Sequence, residues 1–274
     1  MSLTAALPHR SGPQPFGAHL RQWRQQRRLS QQGLAEEAEI STRHLSFVET
    51  GRAMPSREMV LRLAERLQVP LRERNAMLVA AGYAPMYRER PLGDPAMAPA
   101  RAAVERILAA HEPWPALAVD RHWNLVAHNR VLPHLLAGIE ASLLQPPVNV
   151  LRLSLHPQGL APRIVNLAQW REHLFERLRQ QVQATGDGAL AALLAELRAL
   201  PPAAVAPDVR LEGEHLGVAL PLQLRLPDGR VLGLLSTTTV FGTAVDVTVQ
   251  ELTLETFFPV DEESAQALRQ LAGA

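Results

Sequence analysis

"ISTRHLSFVETGR", residues 40–52, is the stretch on which the reading of the N-terminal fold turns. Leu45 and Val48 sit three apart, so on a helix they share one face and point inward. Arg43 and Phe47 then fall on the far side. A solvated helix face is ordinarily furnished with Glu, Lys and Gln, so an arginine beside a bare phenyl ring marks a face made for a partner. Just upstream, "LSQQGLAEEAE" (29–39) places Leu34 and Ala35 on the inner side of a preceding helix. Helix 31–38, a three-residue turn and helix 42–49 form a helix-turn-helix pattern, with Ile40 completing the apolar set and Ala35 small where the helices must cross. Such a unit lays its second helix in the major groove of double-stranded DNA. Arg43 can bond guanine O6 and N7 bidentately and Phe47 can meet a thymine methyl, with Thr42 at the helix start as a third base-reading residue.

Working outward, Ser30, Ser41 and Ser56 each precede an amphipathic segment, where a hydroxyl can accept a hydrogen bond from a first-turn amide. Helices are expected at about 16–28, 31–38, 42–49, 56–67 and 71–81, the last stopped by Gly82. They are short and closely connected, as in a small all-α domain. The domain expectation is a Pro/Gly-rich disordered segment over 1–15, a five-helix helix-turn-helix domain over 16–85, a linker over 86–98 and a second domain over 99–274. "MYRERPLGDPAMAPA" (86–100) reads as linker because prolines interrupt any regular element.

In the second domain, "PALAVDRHWNLVAHN" (115–129) reads as a β-hairpin with Asp120 and Asn124 as turn residues. Helical patterns dominate 129–200. "GVALPLQLRLPDGRVLGLLSTTTV" (217–240) sets a Pro-Asp-Gly turn between two strand-like runs, and "VDVTVQELTLETFF" (245–258) reads as a further alternating strand. Two strands, then helices, then three strands predict an α+β domain with one antiparallel sheet.

Charge separates the two halves. Residues 1–90 hold 14 Arg against 8 acidic residues, a net of +6, and residues 91–274 hold 14 Arg against 19, a net of −5. A basic N-terminal block suits a polyanion, although the chain has no lysine, so arginine carries every basic role. The absence of cysteine excludes disulfides, thiolate metal sites and thiol catalysis. No apolar run reaches the ~18 residues of a membrane span, and the N-terminus lacks the pattern of a secretory signal; a cytoplasmic location is expected. Enzyme readings find no support. "GDGALA" (186–191) fits a dinucleotide motif without the preceding strand that motif needs. His122, His128 and His134 are evenly spaced but have no acidic partner motif, so neither a catalytic nor a metal site is expected, and no cofactor.

Two resemblances sharpen this. "LSQQGLAEEAEISTRHLSFVETGRAMPS" (29–56) resembles the Cro/repressor-type DNA-binding domains of xenobiotic-response-element-like regulators, over about residues 16–82. The resemblance implies that Gln31, Gln32 and Arg52 touch phosphates, fixing register without reading sequence, and that Arg24 and Glu49 clamp helix 1 to helix 3. One departure is Glu39, at a turn position that is often glycine; a positive φ there would cost on the order of 1 kcal/mol. "LAERLQVPLRERNAMLVAAGYAP", "PALAVDRHWNLVAHN" and "VNVLRLSLHPQGLAPRIVNLAQW" together resemble the MmyB-like regulator family across nearly the whole chain. That resemblance implies a PAS-like C-terminal ligand-binding domain and a fatty acid or similar lipophilic ligand. Arg152 and Arg163, with His156 and Asn166 nearby, are the candidates for its head group; their alternative is two surface arginines and a helix-capping asparagine. Trp123 and Trp170 read as core. A two-fold operator and a homodimer are expected, since one short recognition helix reads few base pairs. The rival reading is a DNA-binding protein whose C-terminal domain serves only dimerisation or partner recruitment.

Overall fold

A computed structural model describes residues 15–201 and 219–273. The chain divides into two compact units, one reaching Glu89 and including Val245–Val247, the other formed by Arg90–Ala244 and the residues from Thr248 onward. Apart from Pro15, the segment expected to be disordered lies outside the described residues.

The first unit is built from five helices: α1 (Phe16–Gln26), α2 (Gln31–Glu37), α3 (Thr42–Glu49), α4 (Arg57–Arg66) and α5 (Leu71–Ala80). The serines act as read from the sequence. Ser30 accepts from Gly33 N, Ser41 from His44 N and Ser56 from Met59 N, at 2.9, 3.1 and 3.2 Å. Leu20, Leu34, Leu45, Leu63, Leu67, Met77 and Leu78 are fully buried in one core.

The helices also end alike. After α2, Ile40 N donates to Ala35 O and Glu39 N to Glu36 O, the paired bonds that close a helix through a left-handed residue. The same pairs follow α1 and α4. Glycine serves this position at Gly51 and Gly82, but Arg28, Glu39 and Gln68 serve it at φ 56°, 56° and 48°. The apolar residue that follows each of these three (Leu29, Ile40 and Val69) packs on the core, which offsets the strain. Glu39→Gly should therefore stabilise the unit by about 1 kcal/mol; an unchanged urea midpoint would show that Glu39 carries no strain.

The second unit holds α6 (Ala98–Ala110), β1 (Ala116–Val119), β2 (Leu125–His128), α7 (Leu132–Leu135), α8 (Val150–Leu155), α9 (Leu167–Thr185), α10 (Gly188–Ala199), β3 (Leu222–Arg225), β4 (Val231–Val240), α11 (Val247–Glu251), β5 (Thr253–Pro259) and α12 (Glu262–Ala272), with α11 starting at the last residue of the first unit. The strands form one antiparallel sheet in the order β2-β1-β5-β4-β3. β1 is buried on both faces because its alternation serves two layers. Ala116 and Ala118 pack with Val104 and Leu108 of α6. Leu117 and Val119 join the larger core made with residues of α7 to α10.

One expectation needs correction. The run 245–258 is not one strand: Val247–Glu251 is a helix, and only Thr253–Pro259 pairs into the sheet. Alternation there mixes apolar and polar residues in a way that a short amphipathic turn also satisfies. The stretch expected as linker is tied down. The Asn75 side chain accepts from Met86 N and Tyr87 N and donates to Tyr87 O. Asp94 caps a short 3-10 turn at Pro95–Met97, and Met97 is buried.

Candidate nucleic-acid interface and ligand cavity

On α3, the periodicity that buries Leu45 and Val48 leaves Thr42 and Arg43 exposed and Phe47 half-buried. The Arg43 guanidinium lies 5.4 Å from the Phe47 ring centroid, as residues four apart on a helix allow. The pair thus forms one outward feature, a cation resting on an aromatic face. Arg52 is exposed just beyond the helix, and its N–H donates to Phe47 O at 2.8 Å, which fixes where the chain leaves α3. Gln32 is exposed and bonds Glu36 within α2.

Behind this face lies the clamp. Arg24 Nε and Nη2 donate to the two carboxylate oxygens of Glu49 at 2.6 and 3.0 Å, and Gln31 Nε2 donates to Glu49 at 2.8 Å. The Glu49 side chain is completely buried and that of Arg24 is 12 % exposed. Burial by itself would raise the Glu49 carboxyl, but the hydrogen bonds from Arg24 and Gln31 outweigh it and hold the group below the usual carboxylate range. Gln31, expected at a phosphate, therefore has its amide nitrogen engaged inside the domain. Other arginines of the basic block also hold structure: Arg27 donates to Leu67 O and Gln68 O, and Arg62 to Ala38 O, at helix C-termini that welcome a cation.

The second unit contains an apolar cavity of about 100 Å³. One water needs roughly 10–15 Å³ on this measure, so there is room for several waters or a stretch of alkyl chain. Leu117, Leu125, Leu151, Leu174, Leu224 and Phe257 supply walls from the sheet and helices. Trp123 and Trp170 are buried as core residues should be, and both also face the cavity. Trp123 stands at φ 67°, an uncommon conformation for so large a side chain. Asp120 enforces it by accepting from His122 N and Asn124 N at 2.8 and 2.9 Å. The indole N–H donates to Gln181 of α9 at 2.8 Å.

The polar lining is sparse: Ser154, Ser236, Arg177 and Glu255. Arg177 donates to Glu255 at 2.5 and 3.2 Å and to the Thr238 hydroxyl at 2.8 Å, and lies 4.6 Å from the Trp123 ring centroid. The residues expected at a head group have other partners and none of them lines this cavity, although Arg163 Nη2 is buried without a hydrogen-bond partner among the described residues. Arg152 is paired with Glu196 at 2.6 Å on the surface. Arg163 donates to the carbonyls of Leu135, Ala137 and Arg225, and burial pushes its guanidinium below the usual value. The His156 ring accepts from Gln158 N, and Asn166 bridges Pro221 O and Gln223 N at the start of β3. A signal for Arg177 was present in the sequence: it follows Trp170 and Leu174 at helical spacing, interrupting an apolar stripe.

The three evenly spaced histidines do not converge. His122 bonds Asp187 and His128 bonds Asn129 O, while His134 is exposed. Among the described residues no three His, Cys, Asp or Glu side chains are grouped to hold a metal ion. "GDGALA" is a junction between helices, Gly186 closing α9 in the left-handed region and Asp187 capping α10. Among the described residues no helix is long and apolar enough to cross a membrane.

Comparison with family profiles agrees with both units. Residues 15–77 match a helix-turn-helix domain, and residues 100–271 match the MmyB-like transcription regulator ligand binding domain. Comparison with curated proteins returned no match.

Proposed function

The chain belongs to the MmyB-like transcription regulators, and from that premise we propose how its two units divide the work of a DNA-binding transcription regulator. Helix α3 enters the major groove; Thr42, Arg43 and Phe47 read base edges, while Gln32, Arg52 and the remaining polar atoms of Gln31 rest on phosphates. The observation that carries this reading is the Arg43–Phe47 pair, an exposed guanidinium on a half-buried ring, on a helix whose other face is fully buried. A homodimer on a two-fold operator would double the sequence read. The second unit senses a fatty acid or similar lipophilic molecule. Its support is a cavity walled by leucines and tryptophans with few polar groups, the usual make-up of a small-molecule site.

Binding-site selection from random DNA separates reading from anchoring. Arg43→Ala should relax base preference at one position, costing about 1–3 kcal/mol there. Arg52→Ala should weaken all sequences alike and flatten the salt slope by about one unit. An unchanged motif in Arg43→Ala would remove α3 as the reading helix. For the ligand, native mass spectrometry of freshly purified protein should show a lipophilic adduct that delipidation removes.

A further inference from the structure

Resting on the ligand reading above, a fatty acid in this cavity needs a partner for its carboxylate, and Arg177 of α9 stands on the wall. Three groups hold it there. The guanidinium lies over the Trp123 ring and donates through Nη1 and Nη2 to the two oxygens of Glu255 on β5. From Nη2 it also donates to the Thr238 hydroxyl on β4. The Arg177 side chain is 23 % exposed and that of Glu255 only 5 %. The cation therefore stays accessible, while its counter-charge is enclosed.

Glu255 displays what this guanidinium takes, a carboxylate gripped by two N–H groups on an otherwise apolar wall. A fatty-acid head is the same chemical group, and the planar fork of an arginine matches it in the same bidentate way. Glu255 and Thr238 together take three of the five N–H donors that an arginine carries, so a second carboxylate can share the guanidinium. The two anions then repel, the more so away from water. Thr238 donates its own hydroxyl hydrogen to Glu255 at 3.1 Å, so the glutamate keeps a donor when it yields part of the guanidinium. Glu255 thereby weakens the binding of an incoming carboxylate without excluding it.

We propose that Arg177 receives the carboxylate of the ligand and that Glu255 competes for the same cation, setting how much fatty acid is needed to fill the cavity. The test uses delipidated full-length protein titrated with laurate and with lauryl alcohol, followed by Trp fluorescence and calorimetry. The alcohol has the same chain and no charge, so it reports the apolar walls alone. Glu255→Gln keeps an acceptor for Arg177 and removes the competing charge. Laurate should then bind about tenfold more tightly than to the wild type, the scale of one like charge at a partly solvated site, with the alcohol unchanged. Combining Arg177→Gln with Glu255→Gln leaves a neutral pair and strands no buried charge. The double variant should bind laurate at least about tenfold more weakly than Glu255→Gln does, and the alcohol as the wild type does. Equal laurate affinity in the single and double variants would overturn Arg177 as the head-group residue. Laurate affinity untouched by Glu255→Gln would overturn the competition. Failure of both probes to bind the wild-type protein would overturn the ligand reading, and this proposal with it.

Discussion

Replacing Glu49 by alanine is expected to destabilise the helical unit by about 3–5 kcal/mol, the usual cost of breaking a buried ion pair. The carboxylate is fully buried and receives Arg24 bidentately and Gln31 from a third helix. Its loss leaves the Arg24 guanidinium, anchored at Leu29 O, with most of its donors facing no acceptor. Because the penalty belongs to the unmatched partner, the Arg24→Ala and Glu49→Ala effects should not add: the double variant should be more stable than their sum implies, by about 1–3 kcal/mol. Additive urea midpoints would mean that the contact is incidental. The same carboxylate gives a pH dependence. Its folded-state value is held below the unfolded one, so its contribution is complete above an unfolded pKa of about 4.3 and is lost as pH falls through the lower folded value. DNA binding should fail with stability, since Glu49 is the last residue of α3, the helix proposed to read DNA.

Gly17→Ala should be nearly as damaging, for a steric reason. A methyl group there would lie 2.3 Å from Glu49 O and 2.7 Å from Val48 O. These are backbone atoms at the end of α3 and cannot turn aside as a flexible side chain could. Overpacking of this kind costs about 1–3 kcal/mol, and relief requires α1 to move away from α3, which also pulls Arg24 from Glu49. Gly33→Ala is the control. Its added carbon meets only the Ser30 Oγ at 3.4 Å and a leucine methyl at 4.0 Å, and alanine favours the helix by up to about 1 kcal/mol. If both substitutions changed the thermal midpoint equally, the close approach of α1 and α3 would not be what restricts position 17.

The sequence by itself determined the first unit almost to the residue. Ser30, Ser41 and Ser56 mark helix starts because a cap bonds an amide three residues away, and the spacing of Leu45 and Val48 determines which face of α3 stays outside. These are local relations, so a linear reading contains them. Glu39, singled out as the departure at that turn, takes the positive φ. In the second unit the sheet and the hairpin turns were legible for the same reason, and the turn at Asp120 held its form. The identity of the cavity's cation was marked only by Arg177 interrupting the Trp170–Leu174 stripe, a signal that other arginines share. Arg152 and Arg163 looked suitable because each interrupts an apolar stretch, but Glu196 and the carbonyl of Arg225, 44 and 62 residues away, had already engaged them. Arg177 owes its place to Glu255, 78 residues away in the chain. Only the tertiary structure decides such pairings, because a buried charge goes wherever the fold supplies its counter-charge, and neighbours in sequence do not record that.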